Sequence, residues 1–109
     1  MHPSLSDSEL LILLALVRLA PNAYGVPIAR EIAERGKRNF ALGRVYSVLE
    51  RLEKKGLVRS ELGEATAERG GRAKRFFHIT ARGLREIRAT RESLIRMWDG
   101  VPQLEGGKA

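Results

Sequence analysis

The chain has 109 residues and a formal net charge of +7, because 20 Lys and Arg outnumber 13 Asp and Glu. This length holds one ordinary domain, which excludes a second catalytic or cofactor domain. The charge favours polyanionic partners, with nucleic acid ahead of an anionic membrane surface. The sequence contains no cysteine, so it has no disulfide, thiolate metal site or cysteine nucleophile, which suits a reducing cytoplasm.

The first helix is predicted to begin at Asp7, because Ser6 and Glu9 form a capping box, and Pro21 ends it. Its apolar residues from Leu10 to Val17 cover every face, which is typical of a helix buried on more than one side. We expect one side to face the core and another to face a partner. The apolar stretch is too short to span a bilayer and lacks the features of a secretory signal, so we expect a cytoplasmic protein without membrane contact.

Two further helices are predicted, the second with Pro27 in its first turn and Gly36 at its end. The third spans about Gly43 to Lys55 and ends at Gly56, a position that favours a left-handed residue. Its apolar residues form a core stripe: Val45, Val48, Leu49 and Leu52. An adjoining basic face carries Arg44, Ser47, Arg51, Lys54 and Lys55.

This basic face suits insertion into the major groove of DNA. There a guanidinium pairs with guanine edges, and a serine hydroxyl pairs with a base or a phosphate. The alternative is a solvated basic surface, since charged runs are common on helices.

Leu57 to Leu62 and Arg75 to Ile79 predict the two strands of a hairpin. The loop between them contains Gly70 and Gly71, where the backbone can approach a phosphate chain closely. The cations near these glycines are candidate DNA contacts: Arg69, Arg72, Lys74 and Arg75. The alternative is that the glycines serve only the turn and that acidic residues neutralise part of the loop.

Thr80 is expected to cap a last helix over 81–98. Its apolar residues are interrupted by Arg91, which favours a short packing surface over an extended coiled coil. With the first helix it forms the predicted dimer interface: Leu10, Leu13, Leu14, Val17, Leu84, Ile87, Leu94 and Trp98. A pocket for a small aromatic effector would be lined by Ile95, Met97 and Trp98. The alternative is that Trp98 anchors the interface without any ligand.

Helix, helix, basic helix, strand, basic loop, strand and helix is the order of a winged helix-turn-helix domain. The predicted fold class is therefore mainly α with a small β-hairpin wing: a winged helix-turn-helix plus a C-terminal dimerisation helix. The predicted divisions are a DNA-binding domain over 1–80, the dimerisation helix over 81–100 and a disordered tail over 101–109.

Four short segments add a more specific signal. They are Ala-Tyr-Gly at 23–25, Leu-Gly-Arg-Val-Tyr at 42–46, Arg-Leu-Glu-Lys-Lys-Gly-Leu-Val at 51–58 and Thr-Ala-Arg-Gly at 80–83. Together they resemble the PadR family of bacterial transcriptional regulators, in its short form with a single C-terminal helix. The resemblance runs from about Leu10 to Leu84.

The resemblance implies a homodimer that binds a palindromic operator in double-stranded DNA, usually as a repressor. The third helix would read the DNA, the hairpin would be the wing, and Tyr46 would contact the DNA backbone. By its helical position alone, Tyr46 could instead cover the edge of the core, and Tyr24 could pack or contact DNA. Where the family often has Ser-Pro-Gly-Thr, this chain has Ala-Leu-Gly-Arg at 41–44, so its operator cannot be taken from relatives.

No catalytic residue, metal site or cofactor is predicted. His2 and His78 are isolated in the sequence, and the only aspartates, Asp7 and Asp99, lie at opposite ends. The converging carboxylates that a metal-dependent nuclease requires are therefore missing. The alternatives to a DNA-binding regulator are a winged-helix module for protein or RNA and a small-molecule sensor whose basic surface is incidental.

Overall fold

The computed structural model describes residues 5–64 and 73–104. The elements follow in the order α1 (Asp7–Leu19), α2 (Gly25–Gly36), α3 (Leu42–Lys54), β1 (Val58–Leu62), β2 (Arg75–Ile79) and α4 (Ala81–Trp98). The two strands pair in antiparallel register, with Val58 opposite Ile79. This arrangement confirms the predicted fold class, mainly α with one small hairpin.

Local signals account for most of the helix ends. The capping box of α1 is present: the Glu9 N–H donates to Ser6 Oγ, and the Ser6 N–H donates to Glu9 Oε1. Gly56 follows α3 with a φ of 79°, as its position predicts. Gly36 is the last residue of α2, as predicted, and the left-handed residue that follows it is Lys37, with a φ of 57°.

One apolar core joins the first three helices and the hairpin. The stripe predicted on α3 is buried, and the hairpin contributes Val58 and Phe77 to the same cluster. The Phe77 N–H also donates to the Ala23 carbonyl at 2.8 Å, which ties β2 to the segment between α1 and α2. The hairpin is therefore anchored in the core through these residues.

The predicted place of Leu13 needs correction. Its side chain has no exposed surface, so it belongs to the core of the protomer and not to an interface between protomers. The opposite side of α1 stays accessible, since Leu14 is 40% and Val17 is 43% exposed. The uniformly apolar sequence of α1 thus divides into a core side and an uncovered side.

The start of α4 lies unusually close to the start of the hairpin. Thr80 Oγ1 donates to the Gly56 carbonyl at 2.8 Å and accepts from the Gly83 N–H at 3.1 Å. Gly83 is buried, and a Cβ at this position would lie 2.4 Å from the Leu57 carbonyl oxygen. The close approach of helix and strand therefore requires glycine.

We expect Gly83→Ala to lower the free energy of unfolding by about 1 to 3 kcal/mol, because the added methyl group meets backbone that cannot move alone. The matched control is Gly43→Ala in α3, where a Cβ meets no atom within 4 Å. This control should be neutral or more stable by up to about 1 kcal/mol, since alanine favours helix. Urea unfolding followed by circular dichroism measures both, and a Gly83→Ala variant as stable as the control would contradict the packing described.

The chain continues in a turn after α4. The Val101 N–H donates to the Trp98 carbonyl at 3.3 Å, and the Leu104 N–H donates to the Val101 carbonyl at 3.0 Å. Residues 101–104, the start of the tail predicted to be disordered, take part in this turn, and the bounds of that tail stay a prediction. Residues 105–109 lie outside the described residues.

Candidate nucleic-acid interface

The polar face predicted on α3 lies on the outside of the helix, beside its buried stripe. Arg44, Ser47, Arg51 and Lys54 are exposed, and Lys55 is half-buried. Of the four cations predicted near the hairpin tip, Lys74 and Arg75 are described by the structure. The other two, Arg69 and Arg72, lie outside the described residues.

Arg44, in the first turn of α3, is held by two neighbours. Its Nη2 donates to Ser8 Oγ at 2.6 Å, and its guanidinium lies 4.1 Å from the centre of the Phe40 ring. Because Phe40 is buried, the ring is a fixed surface on which the cation rests. The guanidinium of Arg44 therefore has a defined direction at the start of the basic helix.

Arg51 and Lys55 share a buried partner that lies on α1. The side chain of Glu9 is only 3% exposed, and its Oε2 accepts from Arg51 Nε at 3.2 Å and from Lys55 Nζ at 2.7 Å. Its Oε1 accepts from the Ser6 N–H at 2.8 Å. Two predicted DNA-binding cations thus also join α3 to the N-terminus of α1.

These bonds set the charge of Glu9. Burial by itself raises the pKa of the Glu9 carboxyl, but the hydrogen bonds from Lys55, the Ser6 backbone and Arg51, with the Lys55 charge, more than offset this and lower it to about 2. Glu9 is therefore an ionised carboxylate at neutral pH. Neutralisation by two cations is what makes such a buried charge tolerable.

The free energy of unfolding should consequently fall as the solution becomes acidic. The pKa of Glu9 is about 2 in the folded chain against an ordinary 4.5, so its contribution is complete above about 4.5 and is lost as pH falls towards 2. We expect a loss of about 3 kcal/mol from this group. Urea unfolding at about pH 7 and at about pH 3 should show a smaller acid loss for Glu9→Gln than for the unchanged chain.

The matched control for this prediction is Glu34→Gln, which makes the same chemical change at an exposed position of α2. It should keep the full acid dependence of the unchanged chain. If Glu9→Gln loses as much stability between the two pH values as Glu34→Gln does, the Glu9 carboxylate is not the source.

Tyr46 covers the edge of the core and also keeps exposed surface. Its ring lies 6.3 Å from the ring of Phe77, while 43% of the residue is exposed. Its hydroxyl lies against Gly25, where an added Cβ would come within 2.3 Å of the Tyr46 oxygen. Because Gly25 has no side chain, it leaves the space that the phenol of Tyr46 occupies.

The loop end of the hairpin carries the second group of cations, since Arg75 pairs with Leu62, the last residue of β1. Tyr24 packs edge-on against Phe76, with ring centres 5.7 Å apart, and Lys74 Nζ lies 4.1 Å above the Tyr24 ring. Arg75 Nη1 donates to Ser60 Oγ at 3.1 Å. Tyr24 is therefore a packing residue that also supports a cation, the choice that the sequence left open.

A second surface, which we call the apolar groove, lies between α1 and α4. It encloses about 630 Å³, and Trp98 at its border is 54% exposed. Its lining residues are Leu10, Leu14, Ile87, Leu94, Ile95 and Trp98, with Arg88, Arg91 and Asp99. Met97, predicted to line a ligand pocket with Ile95 and Trp98, is not among the lining residues of this groove and is 77% exposed, and the ligand pocket stays a prediction.

Two other predicted interface residues lie outside this groove. Val17 lies further along α1, beside α2, and Leu84 is half-buried in the first turns of α4.

Over residues 5–64 and 73–104, none of the helices is long and apolar enough to span a membrane. The same residues bring together no group of three metal-binding side chains.

A basic helix packed across two others, with an antiparallel hairpin beside it, defines the winged helix-turn-helix class. The family model for PadR-like transcriptional regulators matches residues 13–89. The chain therefore belongs to the PadR-like family, whose members are non-enzymatic DNA-binding proteins.

Individual relatives agree with this assignment. An uncharacterised protein of Lysinibacillus sphaericus is 30% identical over 95 residues, which are 85% of this chain and 80% of that protein. A PadR family transcription regulator from Clostridium difficile R20291 has a TM-score of 0.74 at 22% identity, covering 93% of this chain and all of the other. A PadR family regulator from Eggerthella lenta has a TM-score of 0.68 at 26% identity, covering 90% of this chain and 83% of that one.

Proposed function

We propose that the protein is a cytoplasmic transcriptional repressor that binds a palindromic operator as a homodimer. The observation that carries this proposal is the basic face of α3, together with the cations Lys74 and Arg75 at the loop end of the hairpin. A helix that buries one stripe and exposes arginine and serine next to it is suited to the major groove. The net charge of +7 favours the same partner.

In this proposal the cations divide into two roles. Arg44 and Ser47 lie in the first half of α3, where recognition helices contact base edges, and they would read sequence. Lys54, Lys74 and the loop residues Arg69 and Arg72 would neutralise phosphates, which fixes the position of the protein on the duplex. Tyr46, which is 43% exposed, would contact the DNA backbone.

The apolar groove supports the homodimer. Leu14, Leu94 and Trp98 are each at least 40% exposed on the isolated protomer, a large apolar surface for a small protein. A two-fold axis at this groove would bury the same patch on both copies. The two recognition helices would then meet half-sites separated by one helical turn, roughly 34 to 36 Å, or a multiple of it.

We expect Arg44→Ala to weaken binding of the operator by about 1 to 3 kcal/mol and to relax preference at a single base pair. The reason is that a guanidinium paired with guanine discriminates at that position only. The measurement is the affinity for the operator and for a set of duplexes that each change one base pair. The matched control is Arg96→Ala, an exposed arginine on α4 outside the groove lining, which should leave both properties unchanged.

A uniform loss of affinity across all these duplexes would show that Arg44 contacts the DNA backbone. The role of Arg44 as a reader would then be wrong, while the proposal of DNA binding would stand.

A second candidate function is ligand sensing at the apolar groove. Its specific support is Trp98, the only tryptophan of the chain, whose half-exposed indole borders an apolar space of about 630 Å³. An indole gives a flat face to an aromatic molecule. Quenching of the Trp98 fluorescence by a small planar aromatic molecule, with loss of DNA binding at the same concentration, would support this function, and quenching without any effect on DNA binding would not.

A further inference from the structure

The first turn of α1 contacts the recognition helix at two points. Ser8 and Glu9 are consecutive residues of α1, and each accepts a hydrogen bond from an arginine of α3: Ser8 from Arg44 and Glu9 from Arg51. The two arginines are seven residues apart, so they lie on the same face of α3, two turns from each other. One short segment therefore contacts both arginines of the basic face.

Each arginine uses only part of its donor set in these contacts. Arg44 gives Nη2 to Ser8 and rests its plane on Phe40, and Arg51 gives Nε to Glu9. Within the described part of the chain, the remaining N–H groups of both guanidiniums make no hydrogen bond to protein. Since a guanidinium is a rigid planar fork, a hydrogen bond from one donor restricts where the other donors point, and in Arg44 the Phe40 ring restricts them further.

The partners are themselves fixed. Glu9 is buried and ionised, and its second oxygen accepts from the Ser6 N–H, so the carboxylate has no freedom to turn. Phe40 is buried beneath Arg44. Long cationic side chains lose conformational entropy when they bind, and that loss is smaller when the bound direction already exists.

We propose that Ser8 and Glu9 are positioning residues that set the directions of Arg44 and Arg51 before DNA binds, and so contribute to sequence discrimination. This inference rests on the proposed function, because it assumes that α3 reads duplex DNA. An arginine that is free to turn can pair with neighbouring acceptors or phosphates. An arginine held in one direction pairs well with only one arrangement of acceptors.

The variant that tests this most cleanly is Ser8→Ala. Ser8 occupies the second position of α1, where alanine is well accommodated, and the capping bonds belong to Ser6 and Glu9. The probes are a duplex recovered by selection from a random pool and the same duplex with the base pair read by Arg44 replaced. We expect the ratio of the two affinities to fall about three- to tenfold in Ser8→Ala, while thermal stability is unchanged.

Further variants serve as controls for this result. Ser8→Thr retains the hydroxyl and should recover the ratio of the unchanged chain, whereas Ser93→Ala, at an exposed position of α4, should not alter it. In an Arg44→Ala background, Ser8→Ala should cause no additional loss, because its partner is gone. Glu9→Gln should lower discrimination between duplexes when Arg51 is present. In an Arg51→Ala background, Glu9→Gln should cause no further loss.

The outcomes separate this inference from the function on which it rests. If the unchanged chain prefers one duplex and Ser8→Ala prefers it equally, the positioning role is wrong and the proposed function stands. Equal losses from Ser8→Ala with and without Arg44 would also overturn the positioning role. If the unchanged chain prefers no duplex, both are wrong.

Discussion

Binding of duplex DNA is expected to weaken about a thousandfold when salt rises from about 50 to 200 mM. This size of effect requires about six phosphate contacts in the complex, or three for each protomer of a dimer. The basic face of α3 and the hairpin cations can supply them, because Lys54 is 78% exposed and its ion pair with Glu50 is long, at 3.6 Å. Such an exposed pair is weak and would yield to a phosphate.

The variants that test the source of this effect are Lys54→Ala and Lys74→Ala. Each should lower the slope of log affinity against log salt by about 2 for a dimer, since two copies each lose one contact. Both should weaken a scrambled duplex as much as the operator, because phosphates carry no sequence. Fluorescence anisotropy titrations at several salt concentrations measure the slopes, with Arg96→Ala as the matched control.

If neither lysine variant changes the slope, the recognition helix and the hairpin are not the phosphate-binding surface. An RNA hairpin that competes as well as the operator would instead favour the RNA-binding alternative, because double-stranded RNA and duplex DNA differ in groove shape.

Replacement of Leu94 by Asp is expected to abolish self-association. Leu94 lines the apolar groove and is 46% exposed on the protomer. An interface with two-fold symmetry would bury the new carboxylate twice, at a cost of roughly 2 kcal/mol or more for each copy. The dimer should then dissociate at least about a thousandfold more readily. Sedimentation velocity at micromolar protein measures the change.

The matched control for this variant is Leu62→Asp in β1, where an exposed leucine stands outside the groove. It should sediment like the unchanged chain, and both variants should stay folded by circular dichroism because neither residue belongs to the buried core. If the Leu94→Asp chain still sediments as a dimer, the interface does not lie on this part of α4. If the unchanged chain sediments as a monomer, the proposed dimer is wrong.

The elements of this fold could be predicted because each has a local cause. The capping box of α1, Gly56 after α3 and Thr80 before α4 act through bonds between residues close in sequence, and the structure contains all three. The buried stripe of α3 follows from helical periodicity alone. The sequence does not indicate that Lys37 adopts the left-handed conformation after α2, because glycine usually takes that conformation.

The chemistry of the basic face was less predictable. Its residues could be placed on one side of α3, but the partner of Arg51 and Lys55 is Glu9, more than forty positions away in sequence. Periodicity gives the faces of a helix and not the element packed against each face. The same limit explains Leu13, since an entirely apolar α1 does not distinguish its core side from its exposed side.

Sequence alone did contain one sign of the Glu9 contact. A carboxylate that opens an apolar helix needs a cationic partner if it becomes buried. The basic pair Arg51 and Lys55, four residues apart on one helix face, is a suitable partner for such a group. The capping box alone accounts for a glutamate at this position, so the sequence does not require the second role of Glu9.

The most direct test of DNA reading by a symmetric dimer is selection of bound duplexes from a random pool by the full chain, followed by sequencing. The expected result is a palindrome whose half-sites are centred about 10 base pairs apart, or a multiple of that spacing. A pool that shows no enrichment after repeated selection would contradict sequence-specific binding by α3, and enrichment of a single unrepeated half-site would contradict the two-fold dimer.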